Sequence, residues 1–353
     1  MRIFLISNMY PSHKDKLFGV FVKNFKLGLE KNDIVFTQNS LIYGKSPILY
    51  KKIIKYIRYF KSIIINLFKA EHDLIYIHYL SINSIILRCV SFILNLNPIV
   101  VNVHGSDVTK EGYFMNFFNE FLLKKSILII APSDYFKRVL LAKYNFLDED
   151  KIFVSPSAGI DLEVFYPKKI AKESTLTLGF ISRIDSGKGW DLFIDLISLL
   201  KSKDIDVKGI VVGDGLERDK FLKQIDKHNL DDVIDYRGFV KQEKLVDVIN
   251  LFDIFIFPTM LFESLGLVGL ESMACGVPII SSNIGGPSEY IIDGVNGYKF
   301  KAGNFNELFS RVLEFLSLSD NEVSSLRMEA IKTSIEYDNK LVMKNLTNKL
   351  LAI

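Results

Sequence analysis

Residues 258–278 read PTMLFESLGLVGLESMACGVP and continue from a short apolar run, Asp253 to Pro258 (DIFIFP), that has the character of a buried strand. Two carboxylates, Glu263 and Glu271, stand eight positions apart around Gly266. A helix beginning near Gly266 places Glu263 in the loop before it and Glu271 on its second turn. The first N–H groups of a helix have no partner within it, so those of Gly266, Leu267 and Val268 face a diphosphate. Glycine lets a ligand approach the backbone, and each carboxylate accepts hydrogen bonds from two sugar hydroxyls. Two acids at this spacing mean nothing by themselves. With a strand before them and a helix start between them, they describe a site for a phosphorylated, hydroxyl-rich ligand.

Working outward, strand-like runs alternate with helical patterns, the signature of parallel α/β sheets. Strands are predicted at Arg2–Ser7, Asp33–Leu41, Leu74–Tyr79, Ile99–His104, Ile127–Ala131 and Ile152–Ser155. A polar stretch, Leu162 to Thr175, with Lys168, Lys169, Lys172 and Glu173, then reads as an interdomain linker. The alternation restarts with strands at Leu176–Ile181, Val207–Val212, Val233–Tyr236, Ile254–Phe257 and Ile279–Ser281. From Asn304 onward the pattern is helical only. This divides the chain into domains at 1–165 and 166–335, with a terminal helix at 336–353. Two doubly wound domains place a ligand at the carboxyl ends of their strands.

Composition fits this organisation. A chain of 353 residues, 49 % apolar and 24 % charged, suits two globular domains. Its two cysteines, Cys89 and Cys275, lie far apart with no C-x-x-C, which argues against a disulfide framework or a zinc site and fits a reducing compartment. Met1 to Tyr10 is strand-like rather than a leader peptide. The longest uncharged stretch, Cys89 to Ser106, contains Asn95, Asn97, Pro98 and His104 and makes a poor bilayer span.

The net charge of +3 conceals an asymmetry. Residues 1–165 carry 21 Lys+Arg against 14 Asp+Glu, and the remainder 23 against 27. Lys45 to Lys69 (KSPILYKKIIKYIRYFKSIIINLFK) concentrates the excess, with seven basic residues and no acid. Its apolar residues Ile53, Ile54, Ile57, Phe60, Ile64 and Phe68 recur at roughly helical spacing, and Lys51, Lys52, Lys55, Arg58 and Lys61 mostly fall between them. Two readings stand: a helix with an ordinary core face and a solvated basic face, or a helix lying on an anionic membrane. Nucleic acid is disfavoured, because no recognised binding motif accompanies the charge.

The stretch from Glu263 to Pro278, including Ala274, Cys275 and Gly276, resembles the E-x7-E motif of family 4 retaining glycosyltransferases. The resemblance covers nearly the whole chain and is most specific over residues 176–300. It implies the GT-B fold, two Rossmann-like doubly wound α/β domains facing a cleft. The first would be the acceptor side and the second would bind the nucleotide sugar, with the last helix packing back on the first domain.

Phe180 to Gly189 (FISRIDSGKG) delivers Arg183 from a strand and Lys188 from a glycine-flanked turn before a helix. A planar guanidinium and a compact ammonium both suit phosphate oxygens, and a departing diphosphate needs positive charge. The family has a similar G-R-x4-K-G motif here, which makes Arg183 and Lys188 the diphosphate ligands. Val211 to Gly215 (VVGDG) lacks the third glycine of a dinucleotide fingerprint, which argues against a dehydrogenase. It looks like the family's V-G-D-G turn lining the nucleotide pocket, with Gly213. In Val101 to Asp107 (VNVHGSD), His104 matches a histidine that faces the donor sugar from the first domain, and Asp107 is a weaker candidate. Gly19 matches a family glycine near the phosphates and acceptor. Gly285, in Asn283 to Glu289 (NIGGPSE), matches the glycine-rich turn near the donor. Pro156 to Asp161 (PSAGID) departs from the family's P-N-G-V-D element, which puts a polar role for that turn in doubt. The D-x-D strings at Asp148–Asp150 and Asp204–Asp206 precede strands and read as acidic loops, so neither metal nor cofactor is expected.

The resemblance implies a sugar transfer in which Glu271 binds ribose, Glu263 the donor sugar, Arg183 and Lys188 the leaving diphosphate, and His104 a sugar hydroxyl. The expected donor is a UDP-linked hexose or N-acetylhexosamine, with GDP-mannose as the other option. The expected acceptor is a cell-surface polysaccharide or its lipid-linked precursor, reached from the cytoplasmic face of a membrane. A sugar-nucleotide epimerase or a silent binding subunit of the same fold is the alternative.

Overall fold

The structure, a computed structural model, describes residues 1–16, 18–109, 112–169 and 175–353. These residues divide into two compact units, Met1–Gly159 with Asn339–Ile353, and Ile160–Asp338.

The first unit runs β1 (Arg2–Tyr10), α1 (Val20–Glu30), β2 (Val35–Tyr43), α2 (Leu49–Lys69), β3 (Leu74–His78), α3 (Ser81–Val90), β4 (Ile99–Asn102), α4 (Ser106–Thr109), α5 (Tyr113–Lys125), β5 (Leu128–Ala131), α6 (Asp134–Lys143) and β6 (Ile152–Val154). Its strands pair in parallel in the order β2-β1-β3-β4-β5-β6. Strand β3 (LIYIH) is buried along its whole length, as a strand covered on both faces must be. Alternate residues serve opposite faces. Phe4 and Ile6 pack with α2, α3, α5 and α6, whereas Ile3 and Leu5 pack with α1 and the terminal helix.

The second unit contains β7 (Leu176–Ile181), α7 (Trp190–Ser202), β8 (Val207–Val212), α8 (Arg218–Lys227), β9 (Ile234–Tyr236), α9 (Gln242–Ile249), β10 (Ile254–Phe257), α10 (Leu267–Ala274), β11 (Ile279–Ser282), α11 (Pro287–Tyr290), β12 (Gly297–Phe300), α12 (Phe305–Leu316) and α13 (Asp320–Ile335). Its sheet is also parallel, ordered β12-β11-β10-β7-β8-β9. Helix starts carry their own signals. Asn304 accepts the N–H of Glu307 at 3.2 Å to cap α12, and Ser319 with Glu322 forms a capping box on α13. In each sheet the direction of winding reverses once, between β1 and β3 and between β7 and β10. Ligands of open α/β sheets bind at such reversals.

The last helix, α14 (Asn339–Leu351), returns to the first unit and packs on α1. Gly28 makes this approach close, since a Cβ there would lie 2.5 Å from Met343 Cγ.

Three features differ from the sequence expectation. The units part at Gly159–Ile160, ahead of the Leu162–Thr175 stretch, because Ile160 bridges Asp338 and both Ile160 and Phe165 join the second core. Lys168 is also held there, its N–H on Asn250 Oδ1 and its ammonium on Asp247, both at 2.6 Å. Lys172 and Glu173 of that stretch lie outside the described residues. Strand β12 (GYKF) was not foreseen, being a four-residue edge strand that opens on glycine. Finally, α2 buries Tyr59, Ile63 and Leu67, whereas Ile53, Ile54, Ile57 and Phe68 are exposed.

Candidate active site

The two loops that flank the winding reversal of the second unit, after β7 and after β10, are packed against each other. Gly189 caps α7 with φ 79°, a left-handed conformation that glycine adopts without strain. A Cβ on it would lie 2.0 Å from the carbonyl oxygen of Pro258. The N–H of Met260 donates to the Gly187 carbonyl at 2.8 Å. Lys188, between these glycines, is thereby delivered to Glu263, and Nζ lies 2.5 Å from Oε1. Both side chains are largely sheltered, 12 % and 22 % exposed.

A third loop, after β11, fixes the Glu263 backbone. The N–H of Gly286 donates to the Glu263 carbonyl at 2.8 Å. Gly285 has φ 72°, and a Cβ there would come within 2.5 Å of that same oxygen. Buried Thr259 adjoins the pair, taking the N–H of Leu261 at 3.2 Å with its hydroxyl 3.5 Å from Glu263 Oε1.

Gly266 caps α10 in the left-handed conformation, and its carbonyl accepts the hydroxyl of buried Tyr290 at 3.0 Å. Leu267 and Val268 open the helix, so their N–H groups lack intrahelical carbonyls. Glu271 lies in the second turn and is 8 % exposed. It accepts Gln242 Nε2 at 3.1 Å, and burial pushes its carboxyl up to about 7. Glu263 and Glu271 therefore have separate partners, a cation for one and an amide for the other.

Arg183 has a partner of its own. Its guanidinium meets Asp185 at 2.6 Å and is 70 % exposed. Asp185 also accepts the N–H of Leu216 at 2.9 Å, which joins the loop after β7 to the V-G-D-G turn. In that turn a Cβ on Gly213 would fall 1.7 Å from the Ser182 carbonyl oxygen. The loop carrying Arg183 and the turn carrying Gly213 thus form one packed unit.

The first unit holds the remaining expected residues. His104 follows β4, and its Nε2 lies 2.9 Å from Nδ1 of His78, the last residue of β3. Tyr79 and Phe21 pack on its ring at centroid distances of 4.4 and 4.8 Å. Burial pushes His104 down to about 3 and His78 well below the ordinary histidine range, so both imidazoles are neutral at physiological pH. Asp107, expected as a weaker sugar contact, is instead buried, accepting the N–H groups of His104 (3.0 Å), Gly105 (2.9 Å) and Leu80 (3.2 Å). Burial pushes its carboxyl up to about 6 against those bonds. Asp107 shapes the His104 loop. Gly19 caps α1 with φ 73° against the backbone of Met9 and Tyr10.

Thr259, Gln242, Tyr290 and His78 were not singled out from sequence. Thr259 stands within residues 258–278 and Tyr290 directly after NIGGPSE, so both belong to motifs that are local in the sequence. Gln242 and His78 act across 29 and 26 positions respectively, and no local pattern announces such contacts. Among the described residues no three His, Cys, Asp or Glu side chains gather as metal ligands.

Residues 164–334 match the family described as glycosyl transferases group 1. An uncharacterized glycosyltransferase, MJ1178 of Methanocaldococcus jannaschii, is 29 % identical over 71 % of this chain and 68 % of its own length. A 2-deoxystreptamine N-acetyl-D-glucosaminyltransferase of Niallia circulans is 26 % identical over 66 % of this chain and 64 % of its own length. The solved structure of Anabaena Alr3699/HepE in complex with UDP superposes with a TM-score of 0.78 at 17 % identity and covers 100 % of both chains. This last likeness speaks for the fold.

Proposed function

We propose that this chain, a group 1 glycosyltransferase of GT-B architecture, is a retaining enzyme that takes its sugar from a uridine diphosphate donor. The observation that carries this reading is the Lys188–Glu263 contact at the winding reversal, beside the start of α10. The ammonium neutralises Glu263. A bound diphosphate would compete for that ammonium and leave Glu263 to accept hydroxyls of the donor sugar. The open N–H groups of Leu267 and Val268 add positive potential for the same phosphates. Glu271, near neutrality in its pKa, would accept ribose hydroxyls as a carboxylate.

The reaction breaks the bond between the sugar anomeric carbon and the diphosphate oxygen. Negative charge grows on the leaving diphosphate, and Lys188 and Arg183 would stabilise it. The acceptor hydroxyl attacks from the same face and passes its proton to the departing phosphate, which preserves the anomeric configuration. The role proposed for His104, a neutral hydrogen-bonding partner to the sugar, rests on the resemblance at VNVHGSD. A uridine donor is supported by the UDP complex of the structural relative and by the N-acetylglucosaminyl transfer named for the Niallia relative. The acceptor proposed is a polysaccharide or lipid-linked glycan.

Thermal shift with UDP, GDP and ADP, then with their sugar conjugates, tests the donor. UDP should stabilise the wild type, and Lys188→Ala and Glu271→Ala should abolish the shift. A response to GDP alone would replace the donor class, and silence to all three would overturn the reading. Nucleotide released only when acceptor is present separates transfer from epimerisation, and the anomeric configuration of the product by NMR tests retention.

A further inference from the structure

We propose that helix α2 seats the first unit on the surface of an anionic lipid bilayer. The helix carries two apolar stripes. Tyr59, Ile63 and Leu67 face the sheet and are buried. Tyr50, Ile53, Ile57 and Phe68 form a second stripe, about a third of a turn round the helix, and are between 52 % and 61 % exposed. Scattered apolar residues on a surface are ordinary, but an aligned row of large ones marks a surface that meets an apolar phase.

Lys51, Arg58 and Lys61 lie beside this row, and residues 45–69 contain no Asp or Glu. Lys55 has a different task. Its ammonium meets the carbonyls of Tyr43 and Gly44 at 2.8 and 2.9 Å and ties the start of α2 to the end of β2. The layer continues sideways through Tyr59 Oη on Asn83 (2.6 Å) and Ser84 Oγ on Asn119 (2.8 Å) to α5. That helix opens with Tyr113 and Phe114, 94 % and 71 % exposed.

The occupant follows from charge. A second copy meeting the same face would bring like charges together. Nucleic acid would use the cations and leave the apolar row in water. Anionic lipid serves both, with headgroups on the cations and the acyl boundary on the apolar row, where aromatic residues are also favoured. Among the described residues no helix is long and apolar enough to cross a membrane, so the contact is one of lying on the surface.

The inference uses only the first unit and none of the donor residues, so its test is separate from the donor reading. The full chain is sedimented with vesicles of phosphatidylcholine, with and without phosphatidylglycerol, in the absence of sugar nucleotide. Binding is expected to the anionic vesicles only and to weaken as salt rises. The variants Tyr50→Ser/Ile53→Ser/Ile57→Ser and Lys51→Gln/Arg58→Gln/Lys61→Gln should each lose about tenfold or more in vesicle affinity. Both should keep the wild-type circular dichroism and melting temperature, because the altered side chains are exposed. Three results would overturn the proposal: no wild-type binding to anionic vesicles, undiminished binding by the apolar variant, or a wild-type dimer in solution that the apolar variant dissolves.

Discussion

The ammonium of Lys188 lies 2.5 Å from Oε1 of Glu263, joining the two loops that leave the second sheet on either side of its winding reversal. Each group is the other's partner, so neither acts alone. Lys188→Ala and Glu263→Ala should each lower kcat/KM by about a hundredfold or more, the range seen when one transition-state charge contact is lost. The double variant should fall little further than the worse single one, because paired residues couple. Steady-state kinetics of the cycle, with melting temperatures as a folding control, gives the answer. Simple multiplication of the two losses would mean the pair is not a functional unit.

Gly285 is expected to control Glu263 through the backbone. Gly285→Ala forces a Cβ against the Glu263 carbonyl and should reduce turnover at least tenfold while lowering stability by about 1–3 kcal/mol. Gly294→Ala is the matched control. It has a similar φ of 73° but nothing within 4 Å of the added carbon. It should cost about 1 kcal/mol through backbone strain alone and keep full activity.

Glu271 makes the second unit less stable as pH rises from acid towards neutrality. Burial raises its carboxyl from 4.5 to about 7. Between those values the unfolded chain has released this proton and the folded chain has not, so stability falls as pH rises through the window and levels off above it. The loss amounts to about 3 kcal/mol. Melting curves at pH 5 and pH 8 should show a larger difference for wild type than for Glu271→Gln. Nucleotide that uses the carboxylate should release a proton on binding near pH 6, which calorimetry in buffers of different ionisation enthalpy detects.

His104 carries the opposite signature. Burial lowers it from 6.5 to about 3, so on acidification the unfolded chain takes up a proton that the folded chain refuses. Stability should therefore drop as pH falls below 6.5, and less so in His104→Asn. Because the imidazole is already neutral at pH 7, the pH profile of kcat/KM should show no inflection from this group near 6.5.

Gly28 and Met343 should compensate for each other. Gly28→Val alone pushes a side chain into Met343 Cγ and should destabilise by about 1–3 kcal/mol. Adding Met343→Ala, which removes the obstructing atoms, should recover much of that loss in denaturant unfolding.

Much of this fold is legible in the chain. Runs such as Ile254–Phe257 and Leu176–Ile181 are continuous apolar segments between turn residues, and they are strands with those same bounds. The loop, helix start and acids of residues 258–278 were readable for the same reason, because their geometry is local. Helix α2 marks where that reasoning stops. Its pattern contains two apolar rows, and period alone does not say which one the sheet covers. The Asn83 hydroxyl partner, Tyr59, identifies the buried row, and that contact spans 24 positions. The role of Asp107 was hidden likewise, since its three N–H donors become visible only when the loop after β4 has closed around it.

Helix α14 supplies Val342, Met343, Leu346 and Leu350 to one face of the first unit's core. Ribosomal synthesis delivers these residues only after the whole second unit has been made. Until then Ile3, Leu5, Val22 and Phe25 lack part of their cover, and the first unit stays incompletely closed while the second is made. Stalled nascent chains ending before Asn339 should therefore be far more open to protease in their first 159 residues than the released protein.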